Sequence, residues 1–196
     1  MIMNNFFAML SRMKNISRWA LMRNTQRENL SEHSLETAII AHALAEIGRS
    51  RTGSDVSPER VALLAMFHDA PEILTGDLPT PAKYHSHELR EAYKKLEHTA
   101  GERLLSMLPE DIRGRYQPLL IPSAEDAQAW RLVKAADKLS ALVKCIEERK
   151  AGNQEFLAAE RSTMESLKKM ALPEVELFIA EFLPAYSMTL DELNEK

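Results

Sequence analysis

The chain has 196 residues, a formal net charge of −4 and a single cysteine; 45% of its residues are apolar and 28% are charged. This composition is typical of one globular domain, and its 6 glycines and 9 prolines, beside frequent alanine, leucine, glutamate and lysine, favour helix over sheet. The negative charge argues against binding to nucleic-acid polymers, which requires a basic surface, so an anionic substrate needs a local basic cluster.

Two further features bear on the compartment. The apolar N-terminal segment lacks a basic region and a small-residue cleavage site, which argues against a signal peptide, and no apolar run approaches the roughly 20 residues that span a bilayer. Cys145 lies inside a helical pattern and is predicted to be a buried apolar residue. A lone cysteine forms no internal disulfide and fits a reducing compartment. We therefore expect a cytoplasmic protein without membrane contact.

A helix and an irregular loop are predicted at the N-terminus. Residues 3–14 carry apolar side chains at helical spacing, whereas residues 15–30 show no clear period. In this loop the planar guanidinium of Arg18 suits phosphate oxygens, and the flat face of Trp19 suits a sugar or a base. The alternative is a solvated basic loop in which Trp19 is anchored in the core.

The next helix is predicted to begin at Ser31 as its N-cap and to end near Arg49. His33 lies in its first turn. It is either a surface residue near the cap or a side chain that points into the same interior as His68. The predicted apolar stripe of this helix consists of Leu35, Ile39, Ala43 and Ile47.

A second helix is predicted from Pro58 to Ala70, with Ser57 as its cap. It is apolar on nearly all sides, which is typical of a central, buried helix. His68 and Asp69 lie at its end, where buried polar groups need partners. An adjacent imidazole and carboxylate can share a divalent metal, and the alternative is a hydrogen-bonded core histidine.

The segment after this helix is predicted to be stiff and non-helical. Pro71 interrupts the helix, so a regular helical spacing between His68 and Glu72 is not assured. Gly76 permits a turn, and two prolines favour extended backbone before them. A stiff loop that presents a carboxylate and a hydroxyl suits ligand positioning, although a plain connector is the alternative. The residues concerned are Asp77, Leu78, Pro79 and Thr80.

The remaining chain is predicted to be helical, with no repeat or linker that would divide it. Asp137 lies at the border of the apolar stripe of one long helix, where its partner is either a neighbouring lysine or a metal. We expect an all-α protein with one domain over residues 1–196. The predicted helices cover residues 87–107, 109–116, 124–151, 155–171 and 173–183, with a short one after Thr189.

Four candidate metal ligands occur along the chain in the order H…HD…D: His33, His68, Asp69 and Asp137. This pattern resembles the HD-domain metal-dependent phosphohydrolases. The resemblance is closer to one group of that superfamily, the bacterial 5'-deoxynucleotidases, and runs almost end to end. The segments that carry it are residues 15–19, 28–34, 68–70, 74–81 and 134–137.

The resemblance implies a single-domain, all-α HD-domain helical bundle with irregular substrate-binding loops and a metal core over about residues 28–142. It implies hydrolysis of deoxyribonucleoside 5'-monophosphates to deoxyribonucleosides and phosphate. It also implies that the protein forms a homodimer. His33, His68, Asp69 and Asp137 are expected to hold one divalent metal ion: cobalt, manganese or another transition metal. Such an ion polarises a phosphoryl oxygen and lowers the pKa of bound water from about 15.7 to about 7.

The resemblance also implies roles for the other residues. Arg18 is expected to orient the phosphate, and Glu72 to act as the catalytic acid or base, so that Glu72, Arg18 and Asp69 form the catalytic set. Pro71 departs from the small polar residue expected beside Glu72. Trp19 and the loop from Asp77 to Thr80 are expected to bind the nucleoside. We expect this loop and Trp19 to pack against the 2' position and to bind the 3'-hydroxyl.

Two other functions remain open at this point. One is an HD phosphohydrolase that acts on another nucleotide, such as a deoxynucleoside triphosphate or guanosine tetraphosphate. The other is a non-catalytic HD scaffold that binds nucleotides. The complete ligand set together with Glu72 favours an enzyme.

Overall fold

The computed structural model of the chain describes residues 4–79, 83 and 85–195. Within these residues the regular secondary structure is helical, and the β-type pairing is an isolated antiparallel bridge between Ser17 and Asn29. The predicted all-α class is confirmed. The α-helices of the described part are α1 (Phe6–Leu10), α2 (Leu30–Ile47), α3 (Pro58–Phe67), α4 (Glu72–Thr75), α5 (His87–Ser106), α6 (Glu110–Leu120), α7 (Ala127–Lys150), α8 (Leu157–Met170), α9 (Pro173–Glu181) and α10 (Leu190–Asn194).

Helix α2 begins earlier than the sequence predicted and turns a different face to the core. Its N-cap is Asn29 rather than Ser31, because the Asn29 side chain accepts hydrogen bonds from the backbone N–H groups of Ser31 and Glu32 at 2.9 and 3.1 Å. The predicted stripe is wrong at Leu35 and Ile39, which are 60% and 62% exposed. Because α2 is apolar on several sides, spacing alone did not identify its core face, which is formed by Ile40, Ala41, Leu44, Ala45 and Ile47.

Helix α3 begins at the predicted cap, Ser57, and ends sooner than predicted, at Phe67 instead of Ala70. The turn after α3 contains His68 and Asp69. These two side chains are therefore displayed at the end of a core helix. His68 keeps a contact between its Nδ1 atom and the Ala65 carbonyl of α3, and its other ring nitrogen can face another element.

The core is centred on α2, α3 and α7, which pack against one another. One apolar cluster joins these helices to α8 and α9, and a second cluster around Phe6, Leu30 and Leu104 joins α1, the start of α2 and α5. Cys145 is fully buried in α7, and burial raises the pKa of its thiol to about 12, so its predicted structural role is confirmed. No described helix combines the length and the apolar character that crossing a bilayer requires.

The irregular loop between α1 and α2 is fastened to the far end of α7. The Glu148 carboxylate is buried and accepts hydrogen bonds from the backbone N–H groups of Thr25 and Gln26 and from Lys144 Nζ. Asn153 Nδ2 donates to the same carboxylate at 2.8 Å. These contacts hold the loop that contains Arg18 and Trp19 against the helix that carries Asp137.

Candidate active site

Packing of the central helices brings the four predicted metal ligands to one place. His33 lies in the first turn of α2, Asp137 lies in the middle of α7, and His68 and Asp69 follow α3. The Nε2 atom of His33 lies 3.2 Å from Asp137 Oδ1 and 3.6 Å from Asp69 Oδ2. Side chains that are far apart in the sequence thus meet around one imidazole nitrogen.

His68 presents a ring nitrogen without a hydrogen-bond partner to this cluster. Its Nδ1 atom lies 2.7 Å from the carbonyl oxygen of Ala65, so Nδ1 carries the hydrogen and donates it. The lone pair is then on Nε2, which lies 3.1 Å from Asp69 Oδ2 and is buried without a hydrogen-bond partner. A buried lone pair beside a carboxylate oxygen is the arrangement that a cation satisfies.

The ring of His33 is oriented from the opposite side by a short chain of side chains. The Ser140 hydroxyl donates to Glu36 Oε2 at 2.6 Å, so its oxygen accepts the Nδ1–H of His33 at 3.1 Å. Glu28 Oε1 lies 3.4 Å from the same Nδ1 atom. Contacts of this kind leave Nε2 as the nitrogen that faces the cluster, as in metal sites where a second group fixes the tautomer.

The charged groups of the cluster shift one another's pKa values. Burial would lower the pKa of His33, but hydrogen bonds to Asp137 and Glu28 raise it to about 9. Burial would likewise raise the pKa of Asp69, but the neighbouring His68 and His33 lower it to about 2. Asp69 is therefore an anion at neutral pH, which is the form that binds a metal.

The donor set fits a divalent metal ion. One ligand atom from each of His33, His68 and Asp69 lies within 4.8 Å of the others, and Asp137 contacts the same nitrogen of His33. Two imidazole nitrogens with two carboxylates suit a transition metal, although the donor types do not select one. The Asp137 side chain is 38% exposed, so a substrate can approach the cluster from that side.

Arg18 and Trp19 are consecutive but contact different surroundings. Arg18 Nη1 donates to Asp69 Oδ2 at 3.4 Å, which places the guanidinium beside the histidine–aspartate cluster. The indole N–H of Trp19 donates to Glu28 Oε2 at 2.8 Å, and its ring centroid lies 5.3 Å from that of Phe156. Trp19 has a φ of 56°, an uncommon left-handed conformation for a bulky residue. Glu28 therefore lies between the indole of Trp19 and the ring of His33.

Glu72 is buried next to the cluster despite the proline before it. Pro71 caps α4, and the Glu72 backbone N–H donates to the Asp69 carbonyl at 2.9 Å. Burial, together with the Asp69 and Asp77 carboxylates, raises the pKa of Glu72 to about 9. The Lys83 ammonium lies 4.0 Å from Glu72 Oε1. This environment favours the protonated form of Glu72, which is the form that can donate a proton.

The predicted nucleoside-binding loop follows α4. It begins at Gly76, whose φ of 75° favours glycine. Asp77 is half-buried, and burial raises its pKa. Leu78 and Pro79 are also half-buried, whereas the predicted residue Thr80 lies outside the described residues.

Residues that the sequence did not single out surround His33 in the described structure. Glu28 and Ser140 lie on its Nδ1 side, Thr37 Oγ1 lies 3.4 Å from its Nε2 atom, and Glu36 accepts the Ser140 hydroxyl. Glu36 follows His33 by three positions, and Ser140 follows Asp137 by three, so each shares a helix face with a predicted ligand. This spacing is a usable signal. Glu28 lies in the irregular loop, where no periodicity indicates which way a side chain points.

Solved structures share this fold. An HD-domain phosphohydrolase from Listeria innocua is 25% identical, with a TM-score of 0.81, over 93% of this chain and 88% of that one. A cyanophage S-2L HD phosphohydrolase, solved with dA and one catalytic Zn²⁺ ion, has a TM-score of 0.65 at 20% identity, over 93% of this chain and 97% of that one. The fold and the histidine–aspartate cluster define an HD-domain phosphohydrolase.

The sequence comparisons narrow this class. A family model described as 5'-deoxynucleotidase YfbR-like matches residues 5–186. A 5'-deoxynucleotidase of Erwinia tasmaniensis is 46% identical over 100% of this chain and 99% of that protein. The 5'-deoxynucleotidase YfbR of Escherichia coli is 46% identical over 98% of this chain and 96% of that protein. The chain belongs to the YfbR-like 5'-deoxynucleotidase family, as its motifs predicted.

Proposed function

We propose that this protein hydrolyses deoxyribonucleoside 5'-monophosphates to deoxyribonucleosides and phosphate, with the help of one divalent metal ion. The observation that carries the proposal is the convergence of two histidines, two aspartates and an arginine in a chain of this family. Relatives over nearly the full length are named 5'-deoxynucleotidases. We further propose that residues 1–196 form a single HD-type domain, with its metal core over about residues 28–142.

The proposed metal ligands are His33, His68, Asp69 and Asp137. Their nitrogen and oxygen donors suit cobalt, manganese or another transition metal. When bound, such an ion supplies Lewis-acid polarisation of a phosphoryl oxygen and a lowered pKa of water. The unpartnered Nε2 atom of His68 supports this assignment, because it lacks any other use in the described structure.

Two side chains are proposed to serve the phosphoryl group directly. Arg18 presents its guanidinium beside Asp69, where a planar fork of N–H donors stabilises the equatorial phosphate oxygens as charge develops. Water attacks phosphorus while the bond to the 5'-oxygen breaks. Glu72, whose pKa is raised to about 9 by burial and by Asp69 and Asp77, donates its proton to that leaving oxygen.

Trp19 and the loop of Asp77, Leu78, Pro79 and Thr80 are proposed to bind the nucleoside. The support is that two of these residues lie near Arg18: Trp19 is its neighbour in sequence, and the Arg18 guanidinium opposes the rise that burial causes in the pKa of Asp77. A rigid pocket rejects an added hydroxyl by shape or by leaving it unpaired. We infer that contact with the 2' position and binding of the 3'-hydroxyl give a preference for deoxyribose.

The test is phosphate release by the metal-depleted protein with single metals added back. We expect phosphate from deoxyribonucleoside 5'-monophosphates with at least one of cobalt, manganese or another transition metal, and slower release from the ribonucleotides. Absence of phosphate with every metal would overturn the proposal. If the protein cleaved deoxynucleoside triphosphates but not the monophosphates, the site would belong to a phosphohydrolase with a different substrate.

We also propose a cytoplasmic homodimer. Apolar side chains are exposed on two helices that pack against each other: Leu35 and Ile39 on α2, and Leu63 and Met66 on α3. Exposed apolar surface of this kind supports an interface, and a second copy of the chain is the proposed occupant. If light scattering finds wild type and Ile39→Glu to be the same monomeric species, the dimer is excluded; conversion of a dimer to a monomer by Ile39→Glu supports it.

The proposed cytoplasmic location is supported by the buried free thiol of Cys145, which fits a reducing compartment.

A further inference from the structure

One buried carboxylate, Glu28, touches three side chains to which the proposed function gives different tasks. Its Oε1 atom lies 3.4 Å from His33 Nδ1 and 3.5 Å from Arg18 Nε. Its Oε2 atom accepts the indole N–H of Trp19 at 2.8 Å. His33 belongs to the metal set, Arg18 to the phosphate and Trp19 to the nucleoside, so a single side chain joins all three parts of the site.

The backbone of Glu28 reinforces these side-chain contacts. The Arg18 N–H donates to the Glu28 carbonyl at 3.0 Å, beside the isolated bridge between Ser17 and Asn29. Trp19, the next residue, has the left-handed φ of 56°, which persists only where the surroundings hold it. The hydrogen bond from its indole to Glu28 is such a restraint, and it lets consecutive side chains meet different parts of the site.

The charge of Glu28 matters as well as its shape. The side chain is 11% exposed, and a buried carboxylate is costly unless hydrogen bonds and opposite charges surround it. Arg18 Nε and His33 Nδ1 face one oxygen, and the indole N–H of Trp19 faces the other. Loss of the charge would leave Arg18 with Asp69 as its direct partner, and the guanidinium would shift towards the metal cluster.

We propose that Glu28 is a positioning residue that fixes the orientations of His33, Arg18 and Trp19 together. Its task in catalysis rests on the proposed function, whereas its geometric coupling of the metal side to Trp19 does not. It would contact neither the metal nor the substrate. Its effect on the metal is to hold, together with Ser140, the Nδ1 side of His33 so that Nε2 faces Asp69 and Asp137. Support of this kind is worth about 10- to 100-fold in metal affinity.

The experiment compares Glu28→Gln and Glu28→Ala with Glu147→Gln as the matched control. Glu147 is exposed on α7 and lines the same shallow depression as Glu28, so its replacement removes an equal charge nearby. Two readouts are independent of catalysis. The first is the affinity of the metal-free protein for Mn²⁺, measured by calorimetry. The second is Trp19 fluorescence in a Trp130→Phe background. The chain has 2 tryptophans, so this background leaves Trp19 as the source of the emission.

The two variants are expected to separate charge from hydrogen bonding. Both should weaken Mn²⁺ binding by about 10- to 100-fold. Glu28→Gln should keep the Trp19 emission, because the amide oxygen still accepts the indole N–H, whereas Glu28→Ala should shift it. In both variants the KM for dAMP should rise more than kcat falls, because Arg18 loses its ion pair with Glu28 in each. In Glu28→Ala the indole of Trp19 is released as well.

The proposal is overturned if Glu28→Gln binds Mn²⁺ as tightly as Glu147→Gln does, or if Trp19 emission is the same in Glu28→Ala as in wild type. If Glu28→Ala does not fold, the Mn²⁺ affinity of Glu28→Gln decides the test of metal binding. Failure of the proposed function is seen separately, as a wild-type protein that binds Mn²⁺ without releasing phosphate from dAMP.

Discussion

His33, His68 and Asp137 are carried by helices of the central core or by the turn directly after one, whereas Arg18 and Trp19 are carried by an irregular loop. The helices hold the first set through apolar packing of α2, α3 and α7. The loop is held to α7 through hydrogen bonds with Glu148, and within itself through the hydrogen bond from Trp19 to Glu28. The proposed metal side of the site is thus supported mainly by the core, and the substrate side by the carboxylates of Glu148 and Glu28. Glu28 also contacts His33 on the metal side.

This difference predicts which variants act on chemistry and which act through folding. Removal of a core-borne ligand should abolish activity while the fold remains, because the helices that carry it keep their packing. Removal of a loop-fastening carboxylate should lower stability and substrate affinity together, because the loop depends on few contacts. The predictions below test the two sides in order of expected effect.

The largest effect is expected for Asp69→Asn. This change removes the anion beside His68 and Arg18 and should lower kcat/KM by about 1000-fold or more, which corresponds to about 4 kcal/mol of transition-state stabilisation. Thermal unfolding of the metal-free protein should change little. Asp55→Asn, an exposed loop position, is the control and should keep wild-type activity. Full activity in Asp69→Asn would mean that the metal side has been misassigned.

The next effect is expected for Arg18→Lys. Lysine keeps the charge but loses the planar fork, so kcat/KM should fall by about 100-fold, the size found when one donor to a developing oxyanion is lost. The affinity for metal should stay near that of wild type, because Arg18 supplies no ligand. Arg12→Lys, on the exposed segment after α1, is the control. Weakened metal binding with unchanged kcat would contradict the assigned role.

Glu148→Gln tests the loop support through stability. Breaking a buried charge pair by changing one partner costs up to about 3–5 kcal/mol. Denaturation should therefore show a clearly lower free energy of unfolding for Glu148→Gln than for Glu147→Gln. Burial would raise the pKa of Glu148, but hydrogen bonds from Lys144, Thr25 and Asn153 hold it well below its usual range. The stabilisation is therefore complete above the unfolded pKa of 4.5 and is lost as pH falls below it.

A difference between wild type and Glu148→Gln that stays constant from neutral to acidic pH would contradict this account of the loop. So would an unchanged KM for dAMP in Glu148→Gln, because the loop contains both Arg18 and Trp19. Denaturant titrations of the two proteins at several pH values provide the comparison.

The smallest effect is expected on sugar discrimination. Trp19→Ala and Asp77→Ala should each lower the ratio of kcat/KM for dAMP over AMP by about tenfold, a size usual for recognition of one group in a pocket. Trp130→Phe, the other tryptophan, should leave the ratio unchanged. If neither Trp19→Ala nor Asp77→Ala changed the ratio, the nucleoside contacts would have to lie elsewhere.

The comparison of the two sides also shows how far the sequence predicts the molecule. The helical class, the cap at Ser57 and the buried stripe of α7 followed from spacing, because Leu132, Leu139 and Val143 repeat on one face. The exposed face of α2 could not be predicted from the spacing of its apolar residues. Leu35 and Ile39 are as apolar as the core residues, so hydropathy alone could not distinguish an outer face from an inner one.

The site divides in the same way. The H…HD…D order singled out His33, His68, Asp69 and Asp137 as candidate ligands, and the structure brings them together. Each lies on or directly after a recognisable helix. Glu28 could not be identified, because an irregular loop has no period and the contacts of Glu28 depend on a left-handed residue, Trp19. Residues that orient other residues are recognised from contacts between segments, which a linear pattern does not contain.

The central claim is that the four ligands bind one divalent metal ion. A crystal structure of the protein grown with Mn²⁺ tests it directly through anomalous scattering at the manganese edge. The account predicts one anomalous peak in contact with Nε2 of His33, Nε2 of His68 and carboxylate oxygens of Asp69 and Asp137. A peak held by other side chains, or none at this cluster while the protein still releases phosphate from dAMP, would contradict it.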